Sequence, residues 1–452
     1  MSKADMIGFI DQITGDRLKV LGWLRISDGI APHLQATLGG KVLGAAEFGR
    51  EREDVLKATG LKNRAFAITF TRPISALEVL GGGLQVATDV DGQQQLLPLS
   101  AGGKLAETKL AFADLSSKLP GSVSGTSDAR YDHGEALAYA AETKQVGQSG
   151  HLTPVLFPIG LRSRDNAAQL GHDGHIFLTE GSNNLLGRYK EPEGPEGRMQ
   201  LEQETKAWVN LIRERNDKIA GRGMGFVQIV IPEKLTAMRE LAPVSITGPT
   251  PLFARIEEAL ITEPYWISGL EIFKNWVGQI PPWQRNDSHN SAAGSLAITR
   301  GLIAGLPGCE TDVLDDVPLI NRSYQDGDLA ERFFGLPLWD EHLNPEPNFL
   351  AEASAGIENT IAYNPAKGHL GTHMVWRNNK APIQKSVVVF GNSFFGQSAN
   401  SPAKLGWWFA RLFAEYHLVW KPEIDYDYID KVKPDYVIAQ TIERFLGRFP
   451  TT

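Results

Sequence analysis

The segment "VVVFGNSFFGQSANSP", Val387 to Pro402, holds a serine placed where chemistry is done in α/β proteins. Four apolar residues, Val387 to Phe390, three of them β-branched and followed by a glycine, read as a short strand buried on both faces. The Gly391-Asn392-Ser393 turn would then present the Ser393 hydroxyl and a backbone N–H at the strand's carboxyl end, where open α/β sheets bind ligands. Turn chemistry by itself also accounts for a Gly-Asn-Ser sequence, so nucleophile and turn former both stand on this segment alone.

A serine becomes a nucleophile when a base takes its proton and a third group orients that base. "WQRNDSHNSAAGSLAITRGLI" supplies Asp287 and His289 two positions apart, just before a helix beginning near Ser291. In an extended segment such residues point the same way, so the carboxylate can hold one imidazole nitrogen while the other faces a hydroxyl. The competing reading is that Asp287 or Asn290 caps the helix. His373, in "LGTHMVWRNN", is the alternative base and lacks an adjacent carboxylate. Backbone N–H groups from Gly391 through Asn392 to Phe394 are oxyanion candidates; Asn378 and Asn379 could add a side-chain donor, with Arg377 beside them as a substrate contact. Amides in a loop are also ordinary turn formers. His172 and His175 in "GHDGH" have no Cys or Glu set nearby and read as turn residues, so no metal site is expected. Trp283, Trp376, Trp407 and Trp408 could stack on sugar rings, although "GWWFARLFAEY" reads first as a core helix. "LGGGLQV" fails the spacing of a dinucleotide fingerprint.

Taken together and in order, these blocks resemble the SGNH-hydrolase-like domain of the bacterial alginate O-acetyltransferases AlgJ and AlgX. "DSHNSAAG" stands where the family has an Asp-Thr-His-Trp type block and a helix with a glycine, and "GNSFF" stands for its Gly-Asp-Ser-Phe or Gly-Thr-Ser-Phe block. "GHDGHIFLTEG", "FVQIVIPEK", "GDLAERF" and "KPDYVIAQTIERFL" follow the family's order between Gly171 and Leu446. Asn392 and Asn290 depart from the pattern, and both are expected at the rim of the site. The opening residues Gly8, Ile10, Asp11, Gly15, Gly22, Trp23 and Asp28 resemble the start of small β domains attached to bacterial polysaccharide enzymes.

The elements that must position these residues fall into two parts. Residues 1–100 alternate short β-rich runs with Asp-Gly and Gly-Gly turns, which predicts a small antiparallel β-sandwich. Residues 101–152 are rich in Gly, Ser, Ala and Thr and read as a linker with one helix, "GEALAYAAETKQ". From 153 to 452 strands alternate with helices, among them the helical run "PAKLGWWFARLFAEY", which predicts an α/β domain with a mostly parallel sheet flanked by helices.

Composition is that of a globular chain: 452 residues, 42% hydrophobic and 22% charged. A net charge of -8 with no basic run argues against nucleic-acid binding. The single Cys309 allows no internal disulfide. The charged amino terminus shows no export signal and no segment has eighteen uninterrupted apolar residues, so a soluble, cytoplasmic protein without a transmembrane segment is expected, or a periplasmic one if the natural start is missing or export takes another route.

The resemblance implies an O-acetyltransferase acting on a bacterial polysaccharide or other glycan through an acetyl-serine. No bound cofactor is expected beyond an acetyl donor, and the partners implied are a glycan acceptor and an acyl-donor protein. A carbohydrate O-acetyl esterase, or an inactive polysaccharide-binding or assembly protein, are the alternatives.

Overall fold

The computed structural model describes residues 8–13, 19–26, 33–38, 40–71, 84–90, 93–97, 129–131, 155–157, 159–160, 162–163, 165–181, 184–309, 312–329, 332 and 339–450. They form two compact units, Met1–Gly174 with Tyr324–Asp340, and His175–Ser323 with Glu341–Thr452. The expected helix at "GEALAYAAETKQ" lies outside the described residues.

The first unit is built on strands β1 (Gly8–Ile13), β2 (Lys19–Arg25), β3 (Leu34–Leu38), β4 (Lys41–Phe48), β5 (Asn63–Thr69), β6 (Leu84–Val90) and β7 (Gln93–Leu96), with helix α1 (Glu53–Thr59) between β4 and β5. All pairings are antiparallel, and the order is β1-β2-β5-β4-β3-β6-β7. These strands therefore make one continuous sheet, where the sequence leads to a two-sheet sandwich. The joining element is β4. Its residues up to Ala45 pair with β3 and its residues from Ala46 to Phe48 pair with β5. Alternating hydrophobicity says that one face of each strand is covered, and leaves open whether neighbours belong to one sheet or two.

The second unit carries a mixed sheet of β8 (Gly225–Ile231), β9 (Trp266–Ile267), β10 (Ile357–Tyr363), β11 (His373–Asn378), β12 (Ile383–Phe390), β13 (Phe413–Val419) and β14 (Tyr436–Ile442). The order is β9-β8-β14-β12-β13-β11-β10. The first five strands in that order run parallel, and β11 and β10 are antiparallel at one edge. Successive residues alternate between two cores: Val387 and Val389 pack with Val227, Ile229 and Ile438, while Val388 and Phe390 pack with Phe226, Val437 and Ala439. A strand covered on both faces needs apolar residues at every position, which is why "VVVF" and "FVQIVI" read as unbroken runs.

Helices cover both faces. α4 (Ala292–Ala304) and α5 (Leu405–Leu412) contribute to the first core, and α2 (Gly194–Ala220), α3 (Pro251–Leu260) and α6 (Tyr426–Val432) to the other side. In α2 the buried residues Leu201, Trp208, Ile212, Arg215 and Ile219 recur at helical spacing. One helical expectation fails: "PAKLGWWFARLFAEY" is helical only to Leu412, and Phe413 turns extended into β13. The residues from Phe413 onward gain two strand neighbours, β11 and β12, and this pairing overrides helix propensity.

Candidate active site

Ser393 sits in the turn after β12 and is half-buried. Gly391 keeps the turn uncrowded: a Cβ would lie 3.1 Å from Gln440 Oε1 and 3.1 Å from the Phe395 ring, so those side chains would have to give. Across from the turn, the segment before α4 brings His289 Nε2 to 2.9 Å from Ser393 Oγ, and His289 Nδ1 to 2.7 Å from Asp287 Oδ1. The same carboxylate oxygen accepts the His289 backbone N–H at 2.8 Å. The ring of Phe394 packs on the imidazole, with centroids 5.0 Å apart. Burial by itself would raise the Asp287 carboxyl; its hydrogen bond to His289, that ring's charge and Lys404 outweigh burial and hold it well below the usual carboxylate range.

The capping alternative resolves on a neighbouring residue. Ser291 is the N-cap of α4, its hydroxyl accepting the Gly294 N–H at 3.2 Å and donating to the Pro281 carbonyl at 2.6 Å. Asp287 instead bonds the His289 imidazole and backbone N–H. Gly294 lets the helix approach this loop, since a Cβ would stand 2.1 Å from the Pro282 carbonyl. Asn290 and Asn392 are both buried, which corrects their expected place at a rim. Asn290 donates to the Pro282 carbonyl, and Asn392 Oδ1 accepts the Phe394 N–H.

Sequence reasoning left out Lys234, just beyond the end of β8. Its buried ammonium lies 2.5 to 3.2 Å from the carbonyls of Ile176, Gln284, Arg285 and Asp287, its three N–H donors shared among the four, so one cation gathers the loop that carries Asp287 and His289. The Lys in "VIPEK" was the signal that could have found it, because a buried lysine must find several acceptors.

The turn offers fewer oxyanion donors than four successive N–H groups suggest. Gly391 N–H donates to the Val419 carbonyl, Asn392 N–H to Gln440 Oε1, and Phe394 N–H to Asn392 Oδ1. Among the described residues the Ser393 N–H has no acceptor, which leaves it as the one unspent donor of the four.

The remaining candidates lie elsewhere. Because β11 runs opposite to β12, Arg377 is level with Ser386, four strand steps before Phe390 and so roughly 13 Å from the turn at about 3.3 Å per residue. Arg377 pairs with Glu415 at 2.8 Å, and Asn378 ties the end of α5 by donating to the carbonyls of Ala410 and Arg411. Asn379 occupies the turn that follows β11. None of these three reaches Ser393. His373 is level with Phe390 but bonds to the Tyr428 hydroxyl at 2.8 Å instead. Trp283, Trp376, Trp407 and Trp408 are buried in the core. His175 is buried beside Phe177, and burial, with Lys234 and Arg285 nearby, holds its imidazole well below the ordinary value.

No protein-family model matches the chain, and no curated protein matches it. Among solved structures it is similar to the O-acetyltransferase domain of Pseudomonas putida AlgJ, with 17% identity, a TM-score of 0.38, and coverage of 62% of this chain and 93% of that one. It is also similar to Bacillus cereus PatB1, solved with a sulfonyl adduct, with 13% identity, a TM-score of 0.42, and coverage of 63% and 97%. Pseudomonas aeruginosa AlgX gives 12% identity, a TM-score of 0.33, and coverage of 61% and 62%. Likenesses of this size carry no argument about activity, which has to come from the side chains.

Proposed function

We propose that this chain is an acyl-transfer enzyme of the serine-nucleophile type, and that it moves an acetyl group onto a glycan hydroxyl. The observation that carries the proposal is the relay from Asp287 through His289 to Ser393, with distances of 2.7 and 2.9 Å. Ser393 Oγ attacks the acetyl carbonyl of the donor while His289 Nε2 takes the hydroxyl proton. Asp287, held ionised, fixes the imidazole tautomer and stabilises the imidazolium. The Ser393 N–H donates to the oxyanion. As the carbonyl reforms, the donor's leaving group departs with the proton from His289, and the acetyl remains on Ser393. A glycan hydroxyl then attacks, giving its proton to His289, and expulsion of Ser393 Oγ, which recovers that proton, yields the acetylated sugar and restores the enzyme.

The transfer reading draws on the ordered sequence blocks, while the relay serves a hydrolase equally well. The test is covalent labelling with a fluorophosphonate or sulfonyl fluoride, read by mass spectrometry of the peptide spanning Ser386 to Lys404. An adduct on Ser393 that is lost in His289→Ala is expected. A folded protein that takes no label, or takes it regardless of His289, removes the nucleophile. Adding a glycan acceptor to an acetyl-donor reaction and measuring acetylated sugar against free acetate separates transfer from hydrolysis.

A further inference from the structure

A cavity of about 230 Å³ borders the residues just before Ser393, lined by Gly391, Asn392, Gln440, Trp208, Trp420 and Arg215. Arg215 is 4% exposed. Its guanidinium donates to Gln228 Oε1 at 3.1 Å and to the Pro422 carbonyl at 2.7 Å, both neutral acceptors. A guanidinium has five N–H donors in a fixed fork. Among the described residues no carboxylate pairs with it, and two hydrogen bonds leave the rest of the fork unused. Burial pushes the group down to about 10, against weaker pulls from Tyr426 and Glu423. Lys421 and Arg448 line the same space, and Lys421 is turned to Asp425 at 3.5 Å.

Keeping a buried cation with only a distant pull from Glu423 and no carboxylate bonded to it is costly, and a chain that needed only packing there would do better with an apolar residue. The missing partner fits a ligand. We infer that this cavity is a subsite for an anionic group, a carboxylate or phosphate on a flat or apolar body, bound by the Arg215 fork in a space that Trp208 and Trp420 also line. Gln440 links it to the chemistry: it lines the cavity and its Oε1 accepts the Asn392 N–H, one residue before Ser393. Assigning the anion to the enzyme's own donor or acceptor rests on the Ser393 reading, whereas binding in the cavity does not.

The experiment is calorimetric titration of the full chain with benzoate, phenyl phosphate and neutral benzyl alcohol at fixed ionic strength, repeated with Ser393→Ala. At least one anion should bind wild type and Ser393→Ala with the same affinity, and benzyl alcohol at least tenfold more weakly; the preferred anion tells carboxylate from phosphate. Arg215→Met should weaken the anion at least tenfold, and Arg215→Lys, which keeps charge but loses the fork, by less. Thr441→Phe, which narrows the cavity with Arg215 intact, should also weaken it and serves if the arginine variants do not fold. No binding of either anion, equal binding of benzyl alcohol, or affinities unchanged in the folded variants would overturn the inference. Failure of Ser393 to label with anion binding intact would remove the catalytic reading and leave the cavity as a binding site.

Discussion

Two relays of carboxylate, imidazole and hydroxyl stand in the same unit. One is Asp287, His289 and Ser393; the other is Glu415, His417 and Tyr428, with distances of 2.7 Å from His417 Nε2 to Glu415 Oε1 and 2.5 Å from Nδ1 to the phenol. Bond lengths do not separate them, but surroundings do. The Tyr428 oxygen is shared with a second imidazole, His373, at 2.8 Å. Burial, then the charges of Glu415 and Asp425, push its hydroxyl up to about 12. Burial also pulls His417 and His373 down, in His417 against its bond to Glu415. Ser393, by contrast, lies on a sharp turn with its own N–H unspent. Three residues in a row of hydrogen bonds are therefore insufficient by themselves; on the proposed reading, the unspent N–H of the Ser393 turn, an oxyanion donor, is what separates the two.

The largest effect should come from the first relay. Ser393→Ala and His289→Ala should lower acetyl-ester turnover by about 10⁶-fold, the scale seen when members of such a unit are removed. Asp287→Asn should cost about 10⁴-fold, as in serine proteases where the amide favours the wrong tautomer. Steady-state kinetics on proteins with unchanged circular dichroism checks both, and full activity in any of the three would dissolve the contrast between the relays.

Lys234→Met should come next. It leaves four carbonyls without their shared donor, at about 1 to 3 kcal/mol for each group that finds no replacement, and it frees the loop that holds Asp287. Denaturant unfolding should give a lower midpoint, and ester turnover should fall with it; a variant as stable and active as wild type would mean that the loop holds its own shape.

The carboxyls of Glu443 and Asp287 are shifted in opposite directions. Glu443 accepts the N–H groups of Glu233 and Thr250 and the Thr236 hydroxyl. Burial nonetheless raises it to about 7, with Glu233 adding to the rise. That value lies above about 4.3 for an unfolded glutamate, so the folded state holds the proton more tightly. Its stabilising contribution is complete below about pH 4.3 and is lost as pH rises to about 7. Asp287 is shifted the opposite way, so its contribution is present above about pH 3.9 and is lost as pH falls toward its lowered folded value. Glu443→Gln should flatten the fall in unfolding free energy between pH 4.3 and 7, measured by urea titration; an unaltered slope assigns it to other groups.

Tyr428→Phe and His373→Ala should alter ester turnover by less than about tenfold while lowering stability by about 1 kcal/mol, since each removes a partly buried hydrogen bond. A loss comparable to that of His289→Ala would make the second relay the catalytic one. The smallest effect is expected from removing residues 1–150. Asp287, His289 and Ser393 all belong to the second unit, so labelling of Ser393 should persist, and insoluble or unlabelled protein would show that the first unit completes the fold or the site.

Much of the central sheet was legible because a strand buried on both faces must be apolar throughout, as "VVVF" and "FVQIVI" are. Asp287, His289 and Ser393 could be named because Asp-x-His before a helix and Gly-x-Ser after a buried strand occur in the order that the family resemblance implies; each motif alone reads equally as a helix cap or a turn. The edge strands β10 and β11 and the second half of "PAKLGWWFARLFAEY" were not legible, because their state is set by pairing partners distant in sequence. Asn378 and Arg377 looked close to the serine along the chain, and strand direction carried them to the far end of the sheet. Residue types and their patterning along the chain mark which groups could do chemistry and which runs had to be buried. Only the tertiary structure decided which histidine meets the serine, which N–H is left unspent, and that Lys234 and Arg215 stand in the interior, since hydrogen bonds and counter-charges are matched between elements whose separation along the chain says nothing of their distance in space.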